Sequence, residues 1–349
     1  MSIVINSRVL GAHTTGVQRY LNEVEKRLPV GLAHVYPRAS LHGISGHVWE
    51  QAVLPFRIGK NVLWSPSNSG PLTVSRQVVT IHDLAPLDHP EWFGKKFSAW
   101  YQYLVPRLVR RVAGVLVDSE FTKERLIASS RVSGDKIQVA LCGVDDRFVS
   151  VPSADGAESS RILSQLDLPA PRYILSVGSL EPRKNIARLL QAWRRILPEL
   201  DEDVSLVLSG AKGKSFIFQD IPELSSLPPR VHLVGYVEDA YLPALYAGAE
   251  AFVYPSVYEG FGLPPLEAMA SGTPVVAGNV ASLPEVVGEA GLLVDPYDAD
   301  EIGTALLSLL KDSVLREKLS EQGRARARMF SWQRTADLTW EKLLEVADM

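Results

Sequence analysis

The sequence predicts an α/β protein built from two doubly wound domains, each with a parallel sheet. Three observations lead there. Short apolar, β-branched runs alternate with segments of helical periodicity, the pattern of parallel sheets covered by helices on both faces. The alternation halts at a small, polar, turn-forming stretch, Ser150-Val151-Pro152-Ser153-Ala154-Asp155-Gly156-Ala157, and then starts again. The length of 349 residues suits two domains of ordinary size.

In the first half, strands are expected at Ser2–Asn6, Val62–Trp64, Gln77–His82 and Gly114–Val117. Helical periodicity is clearest over Gly16–Leu28 and Lys95–Val112. After the linker, strands are expected at Tyr173–Gly178, Val204–Ser209, Val231–Val234, Ala251–Tyr254, Pro274–Gly278 and Gly291–Val294. The intervening helices are expected at Asn185–Ile196, Leu242–Ala247, Pro264–Ser271, Ala281–Val287 and Asp300–Leu310. The expected domains are residues 1–152 and 160–330. In such sheets ligands bind outside the carboxyl ends of the strands, so a cleft between the domains is the expected site.

Composition narrows the class. With 46% apolar and 22% charged residues the chain resembles an ordinary soluble protein. A formal net charge of -4 argues against a nucleic-acid binder, which would carry a basic excess. The single cysteine, Cys142, excludes a disulfide within the chain and a cysteine-based zinc site. The N-terminus lacks the basic and apolar regions of a signal peptide. No run approaches the roughly 20 apolar residues that span a bilayer. A cytoplasmic setting is the default, with attachment to a membrane surface left open.

The densest chemical signal is Tyr254-Pro255-Ser256-Val257-Tyr258-Glu259-Gly260-Phe261-Gly262-Leu263-Pro264-Pro265-Leu266-Glu267-Ala268-Met269-Ala270. An apolar strand runs into a glycine-containing loop, then into a helix whose first turn tolerates proline. Gly260 and Gly262 let backbone come close to a ligand. The free amides of a helix start suit a diphosphate. Glu259 stands before this turn and Glu267 about one helical turn into the helix. A single helix start thus offers two carboxylates to sugar and ribose hydroxyls, on either side of the phosphate-binding amides. Either glutamate alone reads as well as a solvated surface residue; the whole arrangement does not.

With seven residues between Glu259 and Glu267, the segment resembles the E-x7-E motif of the retaining glycosyltransferases of family 4. The likeness extends over nearly the whole chain. It implies the GT-B fold, two Rossmann-like domains facing across a cleft. Ser176-Val177-Gly178-Ser179-Leu180-Glu181-Pro182-Arg183-Lys184-Asn185 looks like the family's first C-domain strand and loop, whose basic pair grips the donor diphosphate. Arg183 and Lys184 hold that place, and two cations near a helix start would neutralise charge building on a leaving group. The donor-binding residues implied are Gly16, Gly178, Arg183, Lys184, Glu259, Gly260, Phe261, Gly262, Leu263 and Glu267.

Further segments resemble the same family. Gly11-Ala12-His13-Thr14-Thr15-Gly16-Val17-Gln18-Arg19-Tyr20 looks like its glycine loop, with Gly16 opening a helix near the donor phosphates and acceptor. Thr14-Thr15 precede a single glycine where many relatives have a second. Thr80-Ile81-His82-Asp83-Leu84 resembles the His-Asp element; by resemblance His82 reaches the transferred sugar and Asp83 holds the loop. In Val117-Asp118-Ser119-Glu120-Phe121-Thr122, Ser119 reads as an N-cap. Ser282-Leu283-Pro284-Glu285 either contacts the nucleobase or caps a helix at Ser282, and the cap is preferred. Phe330-Ser331-Trp332-Gln333 and the helix to Val346 resemble the family's C-terminal helix, which places residues 331–349 back on the first domain.

The resemblance implies transfer with retention. A glycosidase retains by means of a carboxylate nucleophile facing an acid across the sugar. Here the resemblance implies same-face substitution without such a nucleophile. Glu259 then orients the donor sugar and Glu267 holds the donor ribose. Arg183 and Lys184 stabilise the departing diphosphate, which takes the acceptor proton. The implied catalytic set is Arg183, Lys184, Glu259 and His82. No metal or cofactor is called for, the nucleotide-sugar being a co-substrate. Asp298-Ala299-Asp300 and Asp201-Glu202-Asp203 show an Asp-x-Asp pattern but read as a turn with an N-cap and as a polar loop.

The likeness points to bacterial mannosyltransferases of O-antigen and other surface polysaccharides, hence to GDP-mannose and a glycan or lipid-linked oligosaccharide acceptor. UDP- and dTDP-sugars are alternatives served by nearly the same motifs. Trp92 to Arg111 mixes aromatics with cations, which suits an anionic membrane interface and equally a core-packed helix with a solvated basic edge. The rival functions are a GT-B nucleotide-sugar epimerase and a non-enzymatic sugar-binding protein. A Gly-x-Ser-x-Gly elbow and a Gly-x-Gly-x-x-Gly fingerprint after the first strand are both lacking, which sets hydrolases and dehydrogenases aside.

Overall fold

A computed structural model of the chain describes residues 2–11, 16–37, 41, 43–150, 168, 172–210 and 221–349. Two six-stranded sheets, parallel throughout their described pairings, lie in two compact units. The first unit comprises Met1–Pro90, Lys95–Gly143 and Ser331–Met349; the second comprises Glu91–Gly94 and Val144–Phe330. Residues 151–167, which hold nearly all of the expected linker, lie outside the described residues.

The first sheet contains β1 (Ile3–Asn6), β2 (Ala33–Val35), β3 (Val62–Ser65), β4 (Gln77–Ile81), β5 (Gly114–Val117) and β6 (Ile137–Val139), in the order β2-β1-β3-β4-β5-β6. Every residue of β1, β3, β4 and β5 is buried. That explains why they read as continuous β-branched runs: a strand covered on both faces has no reason to alternate. The helix Lys95–Arg111 turns Val105, Leu108 and Val109 inward, against Val79, Ile81, Val115 and Val117 of the sheet. The last helix, Trp332–Asp348, buries Trp332, Thr335, Thr339, Leu343 and Val346 within this unit. Thr335 Oγ1 donates to Leu141 O at 2.6 Å. Gly143 admits the helix start, because a Cβ there would stand 2.0 Å from Trp332 N.

The second sheet contains β7 (Arg172–Val177), β8 (Val204–Ser209), β9 (Val231–Gly235), β10 (Ala251–Tyr254), β11 (Val275–Gly278) and β12 (Leu292–Val294), in the order β12-β11-β10-β7-β8-β9. Its core joins Leu189, Leu190, Trp193 and Ile196 of the helix Ile186–Ile196 to Leu206 and Leu208 of β8 and to Ile302, Leu306 and Leu309 of the helix Ala299–Lys311. Fully buried Trp193 donates its indole N–H to Pro229 O at 3.0 Å, so its one polar atom is satisfied. Truncating such a side chain to alanine costs about 3–5 kcal/mol.

Several elements carry no clear sequence signal, among them two strands and two helices. Strands β2 and β6 are three residues long and stand at sheet edges, where partial exposure removes the apolar run. The helix Gly43–Ala52 buries Gly46, Trp49 and Glu50 while exposing Ile44 and Val48, which scrambles its amphipathic signal. The helix Ser313–Ala327 buries only Leu319, Gly323 and Ala327, a stripe too narrow and small to stand out.

The loop leaving β7 rests on the end of β8. Gly178 N donates to Ser209 O at 2.9 Å, and a Cβ on Gly210 would stand 1.8 Å from Gly178 O. Gly210→Ala should therefore lower the unfolding free energy by about 1–3 kcal/mol, the usual cost of overpacking. Urea denaturation measures it; unchanged stability would mean that this contact does not constrain the loop.

Candidate active site

The second sheet reverses its order between β7 and β10. Loops leaving the carboxyl ends of two such strands diverge and open a ligand crevice. After β7 come Gly178, then a 3-10 turn Pro182–Lys184, then Asn185 at φ 58°, then the helix Ile186–Ile196. Asparagine tolerates that left-handed conformation. Its Nδ2 ties the two loops together, donating to Pro255 O at 3.0 Å and Pro296 O at 2.6 Å. The loop after β10 answers: Val257 N at 2.9 Å and Ser256 Oγ at 2.8 Å both donate to Arg183 O. Gly262, at φ 122°, then starts the helix Leu263–Ala270, whose first turn holds Pro264 and Pro265.

These ties bring Arg183, Lys184 and Glu259 into one buried network. Glu259 Oε2 accepts from Arg183 Nη1 at 2.7 Å, and Glu259 Oε1 accepts from Lys184 Nζ at 2.7 Å and lies 2.6 Å from Ser256 Oγ, whose one proton it shares with Arg183 O. Lys184 Nζ also donates to the Tyr254 hydroxyl. Burial opposes ionisation of Glu259, but Arg183 and Lys184 outweigh it and hold its pKa at about 2. Burial, aided by Arg183, keeps Lys184 below the ordinary lysine value despite Glu259. Burial is also the main reason why Tyr254 stays a phenol, its pKa well above the ordinary value.

The solvated reading of the two glutamates does not hold, because Glu259 is 6% and Glu267 4% exposed. Glu267 lies inside the helix Leu263–Ala270 and accepts from the Tyr246 hydroxyl at 3.1 Å. Ser282 is a correction. Its hydroxyl makes no cap; it stands 2.9 Å from Glu259 O and 2.6 Å from Phe261 O, so its one proton is shared between two carbonyls of the glycine loop. Gly178, Gly260, Phe261, Gly262 and Leu263 all sit on the two loops or at the helix start. Asp298 caps the helix Ala299–Lys311, while Asp201 and Asp203 pair with Arg172.

Gly16 and His82 belong to the first unit. Gly16 opens the helix Gly16–Glu25, and residues 12–15 of the expected glycine loop lie outside the described residues. His82, expected by resemblance to reach the transferred sugar, has its ring hydrogen-bonded within the unit. Nδ1 stands 2.6 Å from Asp118 Oδ2 and Nε2 2.8 Å from Pro66 O, so both nitrogens are engaged within the unit. The cause is the strand-end geometry, which sets a buried carboxylate on one side of the ring and a carbonyl on the other. Burial disfavours the imidazolium, yet Asp118 and the Pro66 carbonyl prevail and raise its pKa above the ordinary histidine value. Asp83 does hold the loop, accepting from Ala85 N at 3.1 Å. Ser119 is the expected N-cap, accepting from Thr122 N at 3.1 Å.

The sequence reading passed over Glu181, Tyr254 and Ser256 as partners of the basic pair, and Asp118 as the partner of His82. All four lie in the segments that carry the family resemblance; what sequence lacks is the fold that turns them inward. The aromatic–basic stretch has a packed side and a basic exposed edge. Phe93 is buried, Trp100 and Tyr101 pack on His47, and Lys95, Lys96, Arg110 and Arg111 are exposed. Among the described residues no helix is long and apolar enough to cross a membrane.

Comparison with known proteins places this geometry. Residues 161–326 match the model of glycosyl transferases group 1, and residues 64–148 that of glycosyltransferase family 4. The O-antigen chain mannosyltransferase B of Escherichia coli is 37% identical over 264 residues, covering 75% of this chain and 68% of that protein. The chain belongs to glycosyltransferase family 4. A second relative, the MMP alpha-(1->4)-mannosyltransferase of Mycolicibacterium hassiacum, is 34% identical over 71% of this chain and 58% of that protein. The serotype-specific mannosyltransferase WbdA of Escherichia coli is 30% identical over 76% of this chain, which spans only 33% of WbdA. Among solved structures, Anabaena HepE in complex with UDP and glucose gives a TM-score of 0.77 at 19% identity, covering 99% of this chain and 100% of that one. WaaG, a glycosyltransferase involved in lipopolysaccharide biosynthesis, gives 0.72 at 15% identity, covering 97% and 98%. This family 4 glycosyltransferase thus has the GT-B fold class, two doubly wound sheets with flanking helices.

The His82 pair makes a measurable claim. Because its folded pKa is raised, its stabilisation is full below the ordinary histidine value and is lost as pH climbs through the raised one. Asp118→Asn removes the anion and leaves burial dominant, so the ring should neutralise at lower pH. Ring-nitrogen NMR titration reads this directly, and an unmoved midpoint would dismiss Asp118 as the cause.

Proposed function

We propose that this chain is a retaining, metal-independent mannosyltransferase. It moves mannose from GDP-mannose to a glycan or lipid-linked oligosaccharide in bacterial surface-polysaccharide synthesis. The observation that carries the chemistry is the buried Arg183–Glu259–Lys184 network at the reversal point of the second sheet. Mannose as the sugar is supported by the mannosyltransferases named among its relatives. A nucleotide-sugar as the donor is supported by the UDP and glucose bound in HepE.

In this reading Arg183 and Lys184 meet the donor diphosphate, and Glu259 orients the sugar while fixing both cations. Gly178, Gly260, Phe261, Gly262 and Leu263 bring backbone close to the donor, and Glu267 holds its ribose. Charge on the diphosphate grows as the glycosidic bond breaks, so the cations hold the transition state more strongly than the ground state. The leaving diphosphate takes the acceptor proton. Residues 160–330 form the nucleotide-sugar part. Residues 1–152, with 331–349, form the acceptor part, to which Gly16 and His82 belong; the engaged ring of His82 gives that residue a positioning role.

Lys184→Ala should lower turnover by about a hundredfold to a thousandfold, the usual loss when a charge-stabilising donor is removed. Circular dichroism should show the fold kept, and a near-normal rate would end the assignment. GDP-mannose, UDP-glucose and dTDP-rhamnose compared with and without a lipid-linked acceptor test the donor. An isomeric nucleotide-sugar formed without acceptor would replace transfer by epimerisation.

Peripheral contact with the inner face of the cytoplasmic membrane belongs to the proposal. Its support comes from the helices Gly43–Ala52 and Leu54–Ile58 rather than from Lys95–Arg111. Ile44, Val48 and Phe56 are 75%, 58% and 87% exposed. Arg57 and Lys60 are exposed beside them, and the one carboxylate between Gly43 and Lys60, Glu50, is fully buried. Apolar side chains edged by cations suit an anionic lipid surface. The chain should float with vesicles of equal parts phosphatidylcholine and phosphatidylglycerol, and an Ile44→Glu/Phe56→Glu variant should not. Equal flotation of the two would remove this face from the proposal.

A further inference from the structure

Glu181 has no part in the roles above, yet it is 4% exposed and bonded to a cation assigned to the diphosphate. It stands two residues before Arg183, at the mouth of the turn Pro182–Lys184. Its Oε2 accepts from Arg183 Nε at 2.8 Å, and its Oε1 accepts from the Ser179 hydroxyl. Arg183 Nη1 meanwhile donates to Glu259 Oε2 at 2.7 Å and to Tyr258 O at 3.2 Å. The guanidinium is therefore braced between two carboxylates.

That arrangement matters for an anionic ligand. Arginine grips a phosphate through two parallel N–H groups, and Nε belongs to one such pair. With Nε on Glu181, a diphosphate must compete with a buried carboxylate for the same edge. Like charges repel more strongly where burial reduces screening by water. The two carboxylates are not equally placed to yield. Glu259 is fixed by Arg183, Lys184 and Ser256, whereas Glu181 is held by Arg183 and Ser179. The Ser179 hydroxyl also lets Glu181 release Arg183 without losing every hydrogen bond.

We infer that Glu181 is a displaceable counter-ion: it occupies Arg183 while no diphosphate is bound, yields the Nε edge to the donor, and reclaims it to expel the nucleoside diphosphate product. Glu181 is thus a positioning residue that sets how tightly the product is held. The inference rests on Arg183 being a diphosphate ligand, as proposed above.

Isothermal titration of the full chain with GDP, UDP and dTDP tests both layers. The Glu181→Gln variant should bind whichever diphosphate the wild type binds about tenfold or more tightly, because one buried like charge is gone. The gain should be smaller for the corresponding monophosphate. In steady state the donor KM and kcat should fall together, with stronger inhibition by the diphosphate product. Glu181→Asp, which keeps the charge, should stay close to the wild-type affinity. Unchanged or weaker binding by Glu181→Gln overturns the inference, since Glu181 would then only brace Arg183. Ser179→Ala offers a second reading: taking away the alternative partner of Glu181 should weaken diphosphate binding, and unchanged affinity counts against displacement. A wild-type chain that binds none of the three diphosphates overturns the donor reading, and this inference with it.

Discussion

A single buried carboxylate organises the second unit. Glu259 lies out of reach of bulk water, and isolating a carboxylate there would cost several kcal/mol. Arg183 and Lys184 remove that cost only because the turn Pro182–Lys184 and the loop after β10 are locked to each other. Asn185, Ser256 and Val257 supply the lock through backbone carbonyls, so the ion network and loop geometry are one structure. The close approach of Gly210 to Gly178 sets the height of the first loop. Ser282 holds the second by its carbonyls. Small and polar residues converge there because each holds one loop against the other by a backbone carbonyl or a close backbone approach.

The two sheets place their chemistry differently. In the second, the order reverses between β7 and β10, and the residues that carry charge leave from those two strands. In the first, the reversal lies between β1 and β3. Asn6 ends β1, Arg8 comes just after it, Ser69 follows β3, and all three meet on fully buried Glu50. His82 stands one strand further along, at the end of β4. The first unit therefore presents hydrogen-bonded polar groups with one shared carboxylate, whereas the second presents paired cations suited to phosphate.

Much of this could be read from the sequence. The buried strands β7, β8, β10 and β11 announced themselves as β-branched runs, and spacing put Glu259 ahead of the helix that holds Glu267. Resemblance to family 4 singled out Arg183 and Lys184. Contacts between distant segments could not be read. The two hydrogen bonds of the His82 ring depend on Asp118 and Pro66, from different strand ends. Ser282 looked like a cap because capping is a local habit of serine, and its true partners lie about twenty residues away. Edge strands such as β2 left little trace, since half-exposed strands carry no continuous apolar run.

The last helix has a consequence for how the molecule is made. Trp332, Leu343 and Val346 are buried in the unit that begins at the opposite end of the chain, so two stretches nearly 200 residues apart complete one core. During synthesis the first sheet leaves the ribosome early with that flank bare, while the second unit has all its strands before the helix emerges. The second unit can fold as soon as it is made; the first must wait. The early segment is thus the one exposed longest to aggregation and to chaperones, although its strands are produced first.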